Sequence, residues 1–252
     1  MKNVLVTGGC GFIGSNFVKH LVSCSDFYPV ILDKLTYAGN IKNLDQVDKK
    51  KYALIEGDIC DISLVNDLFS KYKFNGVFNF AAESHVDRSL EDPSNFIESN
   101  ILGTFNLLEA SRSFWKDLPS TRKSKFRFHH ISTDEVFGSL PNIKGNEKFD
   151  ELSSYDPRSP YSASKASSDF LVRSWFHTYK IPAIITNCSN NFGPRQFPEK
   201  LIPIVIHKII NKQTIPVYGD GSNIRDWLFV EDHVDALLLA LQKGIPGETY
   251  CV

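Results

Sequence analysis

Apolar positions along the chain follow two alternating periods. Short, nearly continuous apolar runs at Asn3–Thr7, Val30–Asp33, Ala53–Gly57, Val77–Phe80, Phe126–Ser132 and Ala183–Cys188 read as strands. Amphipathic stretches lie between them, as at Phe17, Val18, Leu21 and Val22, and read as helices. This β-α-β-α order predicts an α/β fold. A parallel sheet with right-handed crossovers carries helices on both faces, which is why its strands are apolar throughout rather than alternating. No internal repeat, low-complexity tract or long linker interrupts the pattern.

The texture changes after Cys188. Pro194, Pro198, Pro203 and Pro216 punctuate a loop-rich region with one helical pattern (Leu201, Val205, Ile206, Ile209, Ile210) and short strands expected near Val217 and at Trp227–Val230. A last helix from Val234 to Gln242 leads to Gly247–Val252, which reads as a strand just beginning where the sequence stops. The expected division is an α/β domain at 1–189 and part of a smaller, incomplete lobe at 190–252, interleaved with the last elements of the first domain.

Composition narrows the function classes. The 252 residues carry 28 Lys+Arg against 29 Asp+Glu, a formal charge of −1, which argues against a binder of nucleic acid or of a membrane surface. Five scattered cysteines without a C-x-x-C spacing suggest neither a disulfide framework nor a zinc site, and fit reduced thiols in a cytoplasmic protein with no metal. The apolar start at Val4–Val6 is too short for a signal-peptide core or a membrane span.

The first strand runs into Gly8-x-x-Gly11-x-x-Gly14 and then a helix. Glycines at such a strand-to-helix turn permit positive φ and let a backbone approach a pyrophosphate, to which the helix N-terminus offers free N–H groups. Asp33 ends the second strand 19 residues past Gly14, placed to accept the adenosine ribose hydroxyls and to repel a 2′-phosphate. The expectation is a Rossmann-type sheet binding NAD. A triphosphate loop is the rival reading of Gly9 to Gly14, but Ser15 stands where that motif needs lysine. Asp58 and Ile59 after the third strand, and Phe80, Ala81 and Ala82 after the fourth, fall beside the same cofactor.

Tyr161 and Lys165 stand four residues apart, on one helical face, behind Pro157 and Pro160. A phenol is a poor base at neutral pH, but neighbouring positive charge favours the phenolate, so Tyr161 can accept the proton of an alcohol. Thr133, Asp134 and Glu135 follow the fifth strand, at the end where open α/β sheets bind ligands. Two adjacent carboxylates can divide acid from base: one protonates a leaving hydroxyl while the other takes a proton made acidic by a neighbouring ketone. That pairing is suited to elimination.

Phosphate loop, Thr133 and Tyr-x-x-x-Lys together resemble the short-chain dehydrogenase/reductase superfamily, in its extended nucleotide-sugar-modifying branch. Longer motifs sharpen the resemblance: Thr133–Gly138, Ala81–Ser89, Ser159–Ala166, Asn190–Pro203 and Tyr218–Trp227 are similar to those of the dTDP-glucose 4,6-dehydratase family, in order and over essentially the whole chain. The resemblance implies NAD as cofactor and a nucleotide-sugar, dTDP-glucose, as substrate. It implies oxidation at C4 with Tyr161 as base, assisted by Thr133 and Lys165. Glu135 would then remove the C5 proton, Asp134 would protonate the departing C6 hydroxyl, and hydride would return to C6. By the same carry-over, NAD contacts fall on Phe12, Ile13, Asp33, Lys34, Leu35, Thr36, Asp58, Ile59, Phe80, Ala81, Ala82, Glu83, Ser84, Ser99, Tyr161, Lys165 and Asn191. Nucleotide-sugar contacts fall on Ser84, Thr133, Asn190, Lys200, Leu201, Pro216, Tyr218 and Arg225, the two cations matching a diphosphate. The apolar stripes at Leu102, Phe105, Leu108 and at Phe170, Val172, Trp175 read as core or subunit interface, and the resemblance implies a homodimer that packs these two helices into a four-helix bundle.

Other readings stay open. A UDP-sugar 4,6-dehydratase or 4-epimerase would share most of these residues, and the base of the nucleotide is not legible in them. A non-catalytic protein that binds NAD or a nucleotide-sugar would keep the same fold. Histidines 129 and 130 read as strand packing with a satisfied ring nitrogen.

Overall fold

A computed structural model describes residues 2–140, 148–217 and 219–252. In chain order its elements are β1 (Lys2–Thr7), α1 (Phe12–Cys24), β2 (Phe27–Asp33), β3 (Ala53–Glu56), α2 (Ile62–Tyr72), β4 (Gly76–Asn79), α3 (Val86–Glu91) and α4 (Ser94–Phe96). A π-helical stretch, Ile97–Leu102, then runs into α5 (Gly103–Lys116), followed by α6 (Ser120–Lys123), β5 (Arg127–Thr133), α7 (Pro160–Tyr179) and β6 (Ala183–Cys188). The remainder comprises β7 (Asn190–Phe192), α8 (Leu201–Ile210), β8 (Trp227–Phe229), α9 (Val230–Lys243) and β9 (Thr249–Cys251).

Seven strands form one sheet in the order β3-β2-β1-β4-β5-β6-β9, and every neighbouring pair is parallel. Successive side chains on a strand leave opposite faces of the sheet, so each central strand feeds two cores. Leu5, Val30, Leu32, Val77 and Phe128 pack with α2 and α5 through Val65, Leu68, Phe69, Leu107 and Leu108. Val4, Val6, Ile31 and Phe78 pack on the other face with Phe17, Val18 and Leu21 of α1 and Val234, Leu237 and Leu238 of α9. This is the doubly wound, Rossmann-type arrangement expected. Strand order reverses between β1 and β4, and the C-terminal ends of those strands open the crevice where such sheets bind ligands.

The seventh strand of the main sheet is β9, within the segment read as a beginning strand, and it pairs with β6 at Ile185–Asn187. Two details depart from the sequence reading. No strand forms over residues 213–217, and the only small sheet among the described residues is the parallel pair β7-β8. Val230 opens α9 instead of ending a strand, because Glu231 and Asp232 suit the positive end of the helix dipole. Among the described residues no helix is long and apolar enough to cross a membrane, and all five cysteines are free.

Candidate active site

A cleft of about 500 Å³ lies over the C-terminal ends of β1, β4 and β5. Its floor begins with the glycine loop. Gly8 has φ +65°, and a Cβ there would stand 2.8 Å from the amide nitrogen of Ala81. A Cβ on Gly14 would collide with the carbonyl oxygen of Gly8. Gly11 caps α1 with no side-chain acceptor, so the first-turn N–H groups of Phe12, Ile13 and Gly14 are left at the cleft wall. A buried carboxylate, Asp33, accepts from the Cys10 amide at 2.8 Å and from the Leu35 amide at 2.9 Å, which leaves each oxygen a further lone pair for a ribose hydroxyl. Burial pushes the Asp33 carboxyl above its ordinary value, the two amides opposing.

This loop, with a free helix N-terminus and a partly occupied carboxylate beyond the second strand, fits a dinucleotide. Lys34, Thr36, Asp58, Ile59, Phe80, Ala81, Ala82, Glu83, Ser84, Ser99 and Asn191 all line the same cleft. Lys34 and Asp58 form an ion pair at 2.6 Å at the cleft's β2–β3 end. Burial works to raise the Asp58 carboxyl, yet the Lys34 ammonium and the Cys60 amide hold it below its usual range. Leu35 is off the cleft wall: its φ of 52° turns its amide toward Asp33 and its side chain into the α1 core.

At the other end, Thr133 closes β5 and Asp134–Phe137 form a 3-10 turn. Thr133 Oγ1 accepts from the Glu135 amide at 3.2 Å and donates to Asp134 Oδ1 at 3.3 Å, fixing the turn from its own hydroxyl. Glu135 lines the cleft; Asp134 does not. Burial raises both carboxyls, and the Asp134 charge raises Glu135 further, while Arg225 draws both down. Facing them, α7 starts with a capping box, Ser159 and Ser162 each accepting the other's amide, with Pro160 in its first turn. That start sets Tyr161 and Lys165 on the cleft face. Burial pushes the Tyr161 phenol well above its ordinary value, Glu135 and Cys188 adding to it. Lys165 Nζ donates to the Ile131 carbonyl at 2.8 Å.

The later residues contribute unevenly. Asn190, Lys200, Leu201 and Arg225 line the cleft, whereas Pro216 is exposed and off it; Tyr218 lies outside the described residues. Lys200 has acidic neighbours: its Nζ donates to the Ser84 carbonyl at 3.4 Å, and Glu199, Glu135 and Asp87 surround it. Sequence reasoning missed Tyr37, Gln196 and Glu199, which line the cleft. Arg88 stacks over Tyr37 at 3.6 Å and pairs with Glu199 at 3.3 Å, a contact between distant segments that no local spacing announces.

The profile of the GDP-mannose 4,6 dehydratase family matches residues 5–252. The dTDP-glucose 4,6-dehydratase of Neisseria gonorrhoeae is 53% identical over 250 residues, which cover 99% of this chain and 72% of that protein. The chain belongs to the dTDP-glucose 4,6-dehydratase family. Another member, dTDP-glucose 4,6-dehydratase 1 of Escherichia coli (strain K12), is 52% identical over 98% of this chain and 70% of its own length. The dTDP-glucose 4,6-dehydratase of Streptomyces venezuelae, solved with NAD bound, superimposes with a TM-score of 0.90 at 40% identity, over 99% of this chain and 75% of that one. A UDP-glucose 4-epimerase of Thermotoga maritima, solved with UDP-glucose, follows at a TM-score of 0.85 and 28% identity, over 99% of this chain and 76% of that one.

Proposed function

We propose that this chain dehydrates dTDP-glucose to dTDP-4-keto-6-deoxyglucose with NAD as a recycled cofactor. The observation that carries the reading is the position of Thr133 and Glu135 at the mouth of β5, with Asp134 between them in the turn, opposite Tyr161 and Lys165 on α7, in the cleft that begins at the glycine loop. Family membership supports the same substrate. An epimerase needs only the phenol and its lysine; two burial-raised carboxyls at this place add the capacity for elimination.

Gly8, Gly11, Phe12, Ile13, Gly14 and Asp33 would hold the dinucleotide, which when bound supplies the acceptor and the returning donor of hydride. Thr133 and Tyr161 bind the sugar's C4 hydroxyl, and Tyr161 takes its proton. Lys165 provides the positive charge that a buried phenol otherwise lacks. Glu135, at the cleft wall, removes the C5 proton, which is acidic only while C4 is a ketone, and returns it to C5 as hydride adds to C6. Asp134, whose carboxyl is raised by burial, protonates the departing C6 oxygen. Because Asp134 does not line the cleft, proton delivery to C6 calls for a small movement of its turn or for an intervening water. Lys200 and Arg225 neutralise the diphosphate.

The exposed apolar side chains Ile97, Leu102, Phe105 and Phe170 lie along the α5 and α7 side of the molecule. They fit a second copy of this chain, paired through a four-helix bundle. Residues 1–189 and the parallel β9 form the cofactor half, and the loops and α8 within 190–229 form the substrate half. The deciding experiment incubates the chain with NAD and either dTDP-glucose or UDP-glucose and follows the 4-keto-6-deoxy product. Product from the thymidine substrate supports the reading; a C4 epimer, or product from UDP-glucose alone, sinks it.

A further inference from the structure

Beneath the proposed acid-base face of α7 lies a set of buried polar groups that the steps above do not use. Asp169 is one helical turn beyond Lys165, and neither it nor His130 of β5 has more than 1% of its surface exposed. One oxygen of Asp169, Oδ2, accepts from Tyr155 at 2.8 Å, from Ser132 Oγ at 2.9 Å and from Asn187 Nδ2 at 3.4 Å. The other, Oδ1, makes no hydrogen bond and has His130 Nε2 at 3.4 Å. The same Nε2 stands 3.4 Å from Lys165 Nζ. The edge of one imidazole therefore touches a buried carboxylate and a buried ammonium.

The state of that imidazole follows from its other side. Thr7 Oγ1 donates to Asn79 Oδ1 at 2.7 Å, which turns the Asn79 amide nitrogen toward Thr104 Oγ1 and toward His130 Nδ1, 3.2 Å away. His130 Nδ1 is thus an acceptor, and the ring proton of the neutral histidine is on Nε2. With its proton there, Nε2 offers Lys165 no lone pair. Burial keeps the ring neutral, far below its usual range. His130 is accordingly a fixed spacer. Burial raises the Asp169 carboxyl, but Lys165 and the donors Tyr155, Ser132 and Asn187 all draw it down, and the acidic group that faces Lys165 is Asp169.

A buried ammonium is costly without a nearby anion, and removing one partner of such a pair leaves an uncompensated charge. The groups facing Lys165 are His130 from β5, Cys188 from β6, and Tyr161 and Asp169 from its own helix. Cys188 is a thiol whose burial pushes it up to about 12, so it brings no charge at neutral pH. We propose that Asp169 is a positioning residue: its carboxylate, braced by Ser132, Tyr155 and Asn187 and spaced by His130, keeps Lys165 an ammonium beside Tyr161. The proposal rests on the reading of Lys165 given above. The carboxylate is in turn backed by Arg173, whose guanidinium donates to the Tyr155 hydroxyl at 3.0 Å.

The test is a nitrogen-NMR titration of Lys165 Nζ in the full chain and in Asp169→Asn, an isosteric change that removes the charge. Losing a neighbouring anion lowers the pKa of a cation, so the midpoint should fall by about one pH unit or more in Asp169→Asn. An unmoved midpoint overturns the proposal. In turnover, the alkaline limb of kcat should move down by the same interval with KM for the sugar nucleotide unchanged. If Asp169→Asn does not fold, the charge-free pair Lys165→Met/Asp169→Asn decides: recovery of the fold supports compensation between the two charges, and failure of the pair as well overturns it. Because the titration needs neither substrate nor cofactor, its failure is distinct from that of the catalytic reading, which full turnover by Lys165→Met would sink.

Discussion

Asn100 Nδ2 donates to Ser164 Oγ at 2.8 Å, joining the π-helical turn 97–102 to the N-terminal part of α7. The same amide nitrogen donates to the Glu83 carbonyl at 3.0 Å, and Oδ1 accepts from the Glu83 amide at 2.9 Å. One buried side chain thus fixes the segment after β4 relative to the helix that carries Tyr161. Asn100→Leu strands three polar partners away from water, at about 1–3 kcal/mol each at most. The expected result is a Tm lower by several degrees together with weaker NAD binding. A variant with unchanged NAD affinity would show that the Glu83 contact does not shape the cofactor wall.

The glycine loop gives a second prediction. At Gly14 a Cβ would have to share space with the Gly8 carbonyl, which is backbone and cannot rotate aside. Gly14→Ala should separate α1 from the loop and weaken NAD binding at least about tenfold, or 1.4 kcal/mol. Calorimetric titration with NAD reads it directly; an unaltered Kd removes the loop from cofactor binding.

Glu135→Gln separates chemistry from stability. Without a carboxylate at the C5 position, oxidation at C4 should persist, giving an NADH absorbance on mixing with dTDP-glucose. Keto-deoxy product should form about 100-fold or more slowly. Ordinary product formation removes Glu135 from its role.

The same variant carries a stability prediction. Burial and the Asp134 charge raise the folded-state pKa of Glu135 above its ordinary 4.5. The folded chain therefore binds this proton more tightly than the unfolded chain, and wild-type stability falls as pH rises from 4.5 through the raised value. The amide does not titrate. Glu135→Gln should be more stable than wild type at neutral pH, with the gap closing below about pH 4. A gap in Tm that is constant with pH refutes the raised value.

Pairing of two copies is tested at Phe170, exposed on α7 with 55% of its surface open. Phe170→Asp places a charge where a bundle would bury it, and should shift the sedimentation of the chain from dimer to monomer without changing its circular dichroism. A monomeric wild type, or a dimer that survives the change, refutes the bundle.

The central sheet was legible because parallel strands bury both faces and so read as apolar runs. Its edges were less so. The sequence reading starts β2 at Val30, yet the strand begins at Phe27. Pro29 is tolerated there because the ladder to β3 starts only at Val30, so its missing N–H removes no bond on that side. The glycine loop, Asp33, Glu135, Tyr161 and Lys165 meet in one cleft because each follows a strand end or opens a helix, positions that local patterns mark. Tyr37 and Glu199 meet through Arg88, across more than a hundred residues of sequence, and no short motif encodes that. Asp169 left a trace, an acid one turn after Lys165, but a lone carboxylate in a helix usually marks a solvated face. Only the fold turns it inward.

The place of β9 has a consequence for synthesis. The edge of β6, whose six residues are all buried, is closed by a strand about 60 residues further along. At translation rates of about 5–20 residues per second, that edge waits some 3–12 s for its partner to emerge. In that interval the nascent chain presents an unpaired row of Ala183–Cys188 amides and carbonyls to any other extended segment on the ribosome. Mistakes in making this protein should therefore concentrate at β6, and a chaperone that binds extended apolar strands is the kind that would prevent them.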